Sequence, residues 1–282
     1  MGPALDFLLR YGVELFSGTP MVFCGISRHE IEGRDLGPNV TGVLMQRQFK
    51  ETLDVALRLQ PDTRQVVVIG GTASFNKYWE AIARQEFREY EGRLAFTYLT
   101  NHSMQEILQG VAHLPKHTII LYLHLFKDSA GNMFMPGEAL WRISEAANAP
   151  VYGFVDQLLG QGIIGGHLFS LEMHGTEAAA GLRILAGEKP AEMPLLARRA
   201  NADMFDWRQL QRWEISEDRL PPSSLVRYKV PSMWEQYQGG YHRQQPAVRR
   251  PGYVTHPLRT ASRRLPDTPA RSAGQRPGLS AG

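Results

Sequence analysis

The turn Gly70–Ser74 (GGTAS) joins a short apolar run, Val66–Ile69, to an amphipathic stretch that begins at Phe75. Glycines in such a turn let a ligand approach the backbone closely, and the N-terminus of the following helix favours a negatively charged group. The turn nevertheless lacks the three glycines of a dinucleotide fingerprint and the Gly-Lys-Ser/Thr ending of a P-loop. Two interpretations stay open: an ordinary strand-to-helix turn capped by Ser74, or a direct ligand contact.

A literal G-x-G-x-x-G pattern occurs at Gly160, Gly162 and Gly165. A nucleotide site requires this pattern directly after a strand and at the start of a helix, with an acidic residue about 20 positions further on. Here the segment that follows, GHLFSLEMHG, is typical of extended chain, and the helical pattern begins only near Gly175. We therefore interpret this pattern as an accidental match.

Histidine, serine and cysteine residues form none of the common catalytic or metal-binding motifs. His113 and His117 are four residues apart, but Pro115 between them would break the helix that must align them. The sequence contains no G-x-S-x-G, HExxH or CxxC motif, and its single cysteine, Cys24, lies in the apolar run MVFCGI. We expect no enzyme activity, no metal site and no cofactor.

Short, continuous apolar runs predict the β-strands that must position any site. They are Met21–Ile26, Val66–Ile69, Leu94–Leu99, Thr118–Leu123 and Val151–Val155. Continuous apolarity indicates strands covered on both faces, as in a parallel sheet. Stripes with helical spacing lie between them, namely Phe49/Leu53/Ala56/Leu57, Phe75/Trp79/Ile82/Ala83/Phe87, Met104/Ile107/Leu108/Val111, Glu138–Ala147 and Gly175–Ala186. The alternation of strands and helices predicts an α/β fold with parallel sheets.

Polar residues at the ends of these strands are the first candidates for a ligand site. Ligands of open α/β sheets bind outside the carboxyl ends of the strands. His124 ends one apolar run, and Asp156 directly follows another. The carboxylate of Asp156 could anchor an amine or hydroxyl of a ligand, or it could cap the next turn.

Charge is unevenly distributed along the 282 residues, whose net charge is +3. Residues 239–282 contain eight arginines and one acidic residue, so this segment carries +7 and the remainder −4. The basic charge thus belongs to one Arg-, Pro- and Gly-rich segment, and we expect no nucleic-acid partner. Such a composition predicts that residues 231–282 form a disordered tail. The sequence shows no signal-peptide pattern and no apolar run long enough to cross a membrane.

Several stretches, in this order, carry a resemblance to a known family: VFCGI, NVTGV, ETLDVALRLQPDTRQVVVIGGTASFN, APVYGFVDQLLGQGIIGG and EAAAGLRILAGEKPAEMP. Together they resemble the ABC-transporter substrate-binding-protein-like family, which has the type I periplasmic-binding fold. The sequence is most similar to the version that serves as the extracytoplasmic sensor domain of bacterial PAS-containing histidine kinases. The resemblance covers about Gly2–Gln238.

This resemblance implies two α/β lobes joined by a hinge, with residues 1–47 and 148–230 in one lobe and 48–147 in the other. The chain would cross between the lobes near Val43–Phe49 and Asn148–Val151. The implied ligand is a small solute such as an amino acid, held in the cleft between the lobes. By position, the cleft residues are Gly25, Ser27, Thr72, Ser74, Phe75, Thr100, Asn101, His124, Phe126, Asp156 and Gln157.

The family also implies an extracytoplasmic location and a membrane-attached kinase as partner, with any kinase activity in a domain outside this chain. Two other functions remain open. One is the solute-binding component of an ABC importer, and the other is a nucleotide-using α/β enzyme, which would bind a cofactor.

Two departures from the family concern the ends of the sequence. Family members begin about two strand–helix units before the segment that matches GPALDFLLRYG, so we expect an incomplete N-terminal lobe. Kinase relatives continue from WEQY into a transmembrane helix, where this sequence has its Arg-, Pro- and Gly-rich segment. We therefore expect a fragment that is truncated at its start and frameshifted from about residue 239.

Overall fold

The computed structural model describes residues 2–178, 183–184, 187–189 and 200–230. By its internal contacts the chain divides into two units, Met1–Val230 and Pro231–Gly282. The second unit lies outside the described residues, and so do the predictions of a disordered tail and of a frameshift. None of the described helices is long and apolar enough to cross a membrane.

A central sheet of parallel strands organises the first unit. Its strands are β3 (Gln65–Gly70), β4 (Ala95–Leu99), β5 (Thr118–His124) and β6 (Val151–Tyr152). They lie in the order β4-β3-β5-β6, and every neighbouring pair is parallel. All of β5 is buried, as are the residues of β3 after Gln65. Strands covered on both faces explain the continuous apolar runs, and the predicted parallel α/β fold is confirmed.

Four helices cover the two faces of the central sheet. They are α3 (Phe49–Leu59), α4 (Ser74–Phe87), α5 (Met104–Val111) and α6 (Pro136–Ala146). Because side chains alternate along a strand, Val67 and Ile69 pack with α5 and α6 on one face. Val66 and Val68 pack with α3 and α4 on the other face. Each large apolar side chain buried in this way contributes about 1.5–3 kcal/mol to stability.

A second, smaller sheet lies at the N-terminus of the described chain. Its elements are α1 (Gly2–Leu15), β1 (Met21–Ser27), α2 (Arg28–Ile31) and β2 (Val40–Met45). β1 and β2 are parallel, and their own small core contains Leu5, Ile26 and Leu44. Gly42 is needed in β2 because a Cβ there would come within 2.5 Å of the Phe23 ring. Residues 46–48 connect this sheet to α3.

Three further strands follow the central sheet. They are β7 (Gly165–Phe169), β8 (Asn201–Asp206) and β9 (Leu225–Arg227), with α7 (Leu171–Ala178) and α8 (Trp207–Arg212) beside them. β8 is antiparallel to β7 and parallel to β9. α7 packs against β1 and β2. The G-x-G-x-x-G segment therefore runs into a strand, as its sequence context predicts, and does not open a helix.

β7 and β8 pack beside the central sheet. Ile164 N donates to Val151 O at 2.7 Å, and Gly153 N donates to Gly165 O at 3.2 Å, so backbone hydrogen bonds link β6 and the residue after it to the start of β7. Phe169 and Met204 lie in the same core as β3 and β5. The division into one lobe of residues 1–47 and 148–230 and another of residues 48–147 stays a prediction.

Several element boundaries also differ from their predictions. The predicted strand Val151–Val155 is shortened to β6, because the chain turns into a 3-10 helix at Asp156–Leu158. The predicted helix Gly175–Ala186 begins four residues earlier, as α7, and residues 179–182 and 185–186 lie outside the described chain. Further 3-10 helices span Arg88–Tyr90 and Glu217–Arg219.

Candidate functional site

A cavity of about 690 Å³ lies where the N-terminal sheet faces the carboxyl end of β5. Gly25 of β1 and Met45 of β2 line it from one side, and His124 at the end of β5 lines it from the other. The remaining lining residues are Glu30, Arg47, Phe75, Phe126, Met135, Pro136, Gly137, Glu138, Gln157, Leu158, Gln161 and Leu171. Its volume lies within the range of about 300–1,000 Å³ that is usual for small-molecule sites.

The structure brings five of the eleven predicted cleft residues together in this cavity: Gly25, Phe75, His124, Phe126 and Gln157. Ser27 lines a neighbouring cavity of about 270 Å³, and Asp156 lines a third of about 520 Å³ together with Gln157. Thr72, Ser74, Thr100 and Asn101 do not line the 690 Å³ cavity. Their contact with a ligand stays a prediction, as it does for the other seven.

The Gly-Gly turn uses its backbone donors inside the protein. Gly71 N donates to His124 O at 3.1 Å, and Thr72 N donates to Lys127 O at 2.8 Å. A Cβ at Gly71 would come within 2.7 Å of Lys127 O, so the glycine allows the turn to pack against the loop after β5. These two N–H groups therefore hold the turn against the loop after β5, and a direct ligand contact of the turn stays a prediction.

Other predicted polar residues also have structural partners. Ser74 is the first residue of α4 rather than its N-cap, a position that Ala73 occupies. Thr100 Oγ1 donates to Glu80 Oε1 at 2.7 Å. Asp156 Oδ2 accepts from Leu171 N at 3.1 Å, so this carboxylate caps the start of α7. This partner lies fifteen residues further along the chain and not in the turn that directly follows Asp156, and the predicted ligand contact of Asp156 stays a prediction.

Aromatic rings form one wall of the 690 Å³ cavity. Phe75 and Phe126 meet edge to face, with ring centroids 5.8 Å apart. His124 stacks nearly parallel to Phe126, with an interplanar angle of 8°. Phe75 projects from the first turn of α4 and keeps 39% of its surface exposed, although it shares a helical stripe with buried residues. Such a wall offers flat apolar surface to a ligand.

His124 has an unusual backbone conformation and a strongly lowered pKa. Its φ of 129° lies in a region that favours glycine, and such conformations cost about 1–3 kcal/mol. Burial, and secondly the charge of Arg47, lowers the pKa of His124 to about 3. The imidazole is therefore neutral at physiological pH. Its carbonyl accepts from Asn76 Nδ2 at 3.1 Å, which helps to hold this strained residue in place.

Arg47 is the main residue of the cavity that the sequence did not predict. It lies between β2 and α3 with only 8% of its surface exposed, and it lines both the 690 Å³ cavity and its 270 Å³ neighbour. Its Cζ atom lies 4.5 Å from the ring centroid of Trp79 and 5.5 Å from that of Phe75. Burial lowers the pKa of Arg47 to about 10, so the guanidinium remains charged at neutral pH.

Comparison with known proteins yields a match in structure only. No protein-family model and no curated protein matches the sequence. A ligand-free, open substrate-binding protein with adhesive properties from Clostridium difficile is 15% identical with a TM-score of 0.60, over 77% of this chain and 74% of that one. A conserved domain protein from Vibrio cholerae is 16% identical with a TM-score of 0.54, over 79% and 83%. An ABC domain in complex with L-Trp from Streptococcus pneumonia is 17% identical with a TM-score of 0.52, over 80% and 78%.

The chain has a periplasmic-binding-protein-like fold. At 15–17% identity the likeness to these structures shows the fold and not the ligand or the partner. In this fold the central sheet supplies the aromatic wall of the cavity, and the N-terminal sheet supplies the opposite wall.

Two carboxylates complete the polar lining of the cavity in this periplasmic-binding-protein-like fold. Glu30 Oε2 accepts from Ser27 N at 2.9 Å and from Ser27 Oγ at 2.8 Å. Burial alone would raise the pKa of Glu30, but these hydrogen bonds outweigh it and the pKa is lowered. Glu138 accepts from Arg142 at 2.6 Å on the exposed side of α6. The lining thus combines an apolar wall with charged groups of both signs.

Proposed function

We propose that this chain is a solute-binding domain that holds one small organic molecule in the 690 Å³ cavity. The observation that carries the proposal is the position of this cavity, between two sheets and outside the carboxyl end of β5. Open α/β sheets bind their ligands at this edge. The separate small core of the N-terminal sheet supports movement of one wall relative to the other when a solute binds.

An amphipathic molecule such as an amino acid suits this cavity best. Phe75 and Phe126 offer apolar surface, and Gln157 and Gln161 in the same lining offer hydrogen-bonding groups. The Streptococcus domain of similar fold is in complex with L-Trp, which gives a first ligand to test. The N–H groups of Gly71 and Thr72 already donate to carbonyl groups of the protein, which argues against a nucleotide-binding enzyme.

For the biological role, we propose the sensor of a membrane-attached histidine kinase, because the ordered motifs of the sequence resemble that version of the family. The role of solute-binding component of an ABC importer has equal support, since two of the structures of similar fold are a substrate-binding protein and an ABC domain. Sequencing the DNA on both sides of the gene separates the two roles. A PAS–kinase frame downstream favours the sensor, and adjacent ATPase and permease genes favour the importer.

A binding screen on the full chain tests the proposal. Amino acids, sugars and nucleotides are added separately, and ligands that bind the native state should raise the melting temperature. We expect amino acids to raise it, and we expect Phe126→Ala to weaken the effect while Thr97→Ala, exposed on β4, leaves it unchanged. A screen in which nothing raises the melting temperature, or in which only nucleotides do, would overturn the proposal.

A further inference from the structure

Arg47 is a buried cation without a carboxylate partner among the residues that the structure describes. Its Nε atom has no hydrogen-bond partner there. Its Nη1 atom lies 3.5 Å from Nδ1 of His124, which is a long distance for a hydrogen bond. Aromatic contacts with Trp79 and Phe75 offset only part of the lost hydration.

Such an arrangement is unfavourable for a purely structural residue. Removing a charge from water costs several kcal/mol, and buried arginines normally recover this cost through carboxylates that match their planar fork. Arg84 in α4 makes two such hydrogen bonds to Glu80 Oε1 even though 46% of its side chain is exposed. Arg47 lacks such a partner in the described chain, yet its side chain borders the cavity.

We infer that Arg47 is the anchor for a carboxylate group of the bound solute. The inference rests on the proposed function and adds to it the chemical class of the ligand and the residue that selects it. A carboxylate would accept two parallel hydrogen bonds from the guanidinium and would supply the missing counter-charge. The apolar remainder of the solute would then lie against Phe75, whose ring lies beside the guanidinium, and against Phe126, which contacts Phe75.

The charges around the cavity favour a carboxylate over a phosphate. Arg47 is the one charged cation among the lining residues, because His124 is neutral at physiological pH. Glu30 and Glu138 line the same cavity. A phosphate carries nearly two negative charges, of which Arg47 would neutralise only one, and the other would be repelled by Glu30 and Glu138. A carboxylate carries one negative charge, which Arg47 neutralises by itself.

Matched ligand pairs test the inference on the full chain. Each pair contains an acid and its neutral amide: L-tryptophan and L-tryptophanamide, L-leucine and L-leucinamide, benzoate and benzamide. Phenyl phosphate is included as the phosphate arm. Affinities are measured by calorimetry for the wild type and for Arg47→Gln, Arg47→Lys and the control Arg58→Gln, which is exposed on α3.

We expect the acid of at least one pair to bind the wild type about 30-fold more tightly than its amide. Arg47→Gln should remove this preference by weakening the acid about 30-fold and leaving the amide unchanged. Arg47→Lys should keep part of the preference, because lysine keeps the charge but loses the planar fork. Arg58→Gln should behave like the wild type.

Stability without ligand gives a second measurement that does not depend on the choice of probe. Arg47→Met removes an uncompensated buried charge and keeps an apolar side chain against Trp79, so its melting temperature should equal or exceed that of the wild type. A residue that only holds the core together would lower the melting temperature when replaced.

Three outcomes would overturn the anchor: equal affinity for acid and amide, an acid affinity unchanged in Arg47→Gln, or preferential binding of phenyl phosphate. The wider screen separates this failure from failure of the proposed function. If an uncharged solute such as a sugar binds the cavity but no carboxylate does, the anchor is wrong and the solute-binding proposal stands. If nothing binds, both are wrong.

Discussion

The charge state of His124 predicts how stability responds to acid. In the folded protein its pKa is lowered to about 3, first by burial and then by the charge of Arg47, whereas in an unfolded chain a histidine has a pKa of about 6.5. Below pH 6.5 the unfolded chain therefore binds a proton that the folded chain does not. The stability present above pH 6.5 is lost as the pH falls, by about 1.4 kcal/mol per unit. Acidification from pH 7.5 to 5.0 should thus remove about 2 kcal/mol through this residue alone.

The variant His124→Gln tests this value, because glutamine does not titrate. Urea unfolding of the wild type and the variant at pH 7.5 and 5.0 gives four free energies of unfolding, and other titrating groups cancel in the double difference. The variant should lose about 2 kcal/mol less than the wild type on acidification. Phe126→Leu, a change in the ring that stacks on His124, should lower stability equally at both pH values. If His124→Gln retained the full acid sensitivity of the wild type, the imidazole would not be held neutral by burial.

Two further predictions concern the contact between α3 and β7. Thr52 Oγ1 both donates to His167 O and accepts from His167 N, each at 3.1 Å, so Thr52→Val should cost about 1–3 kcal/mol in urea unfolding. Thr97→Val on the exposed side of β4 should change the free energy of unfolding by less than about 0.5 kcal/mol. Equal effects of the two substitutions would contradict a stabilising role for the Thr52 hydrogen bonds. In Gly166→Ala a Cβ would lie 2.7 Å from the Thr52 methyl at a φ of 149°, whereas Gly92→Ala meets no atom within 4 Å. Thermal unfolding followed by circular dichroism should show a much lower melting temperature for Gly166→Ala and an unchanged one for Gly92→Ala. A wild-type melting temperature for Gly166→Ala would refute the steric argument.

The central sheet could be predicted from the sequence because its strands are covered on both faces. Runs such as VVVI in β3 and TIILYL in β5 are continuous, and burial on two sides is the cause. β2 was missed because its sequence, VTGVLM, contains Gly42, and a glycine in a short apolar run usually indicates the end of a strand. The glycine is there because the Phe23 ring lies across the strand, and only the three-dimensional packing shows this. β8 was missed for a different reason: NADMFD is only half-buried over its first three residues and mixes its apolar residues with polar ones.

The cavity was predictable only in part. The rule that ligands bind at the carboxyl ends of parallel strands pointed to His124 and Phe126, and the structure places both in the cavity wall. The same rule pointed to Thr72 and Asp156, but these side chains hold the loop after β5 and the start of α7. A position near a strand end does not distinguish a residue that lines the cavity from one that stabilises an adjacent turn. Both roles place a polar side chain at the same point of the sequence.

Arg47 shows why the electrostatics of this site could not be obtained from residue types. In the stretch MQRQFK an arginine is expected to lie in water, and no periodicity marks it as buried. Burial acts on Arg47 and on His124 in the same direction, since it lowers the pKa of both bases. The outcome differs because the ordinary pKa of arginine lies so far above neutrality that its lowered value of about 10 is still well above pH 7. The ordinary pKa of histidine, about 6.5, is already close to neutrality, and its lowered value of about 3 is far below it. The weaker base loses its charge and the stronger one keeps it, so one buried environment gives a cavity with a single fixed positive charge next to a neutral aromatic wall.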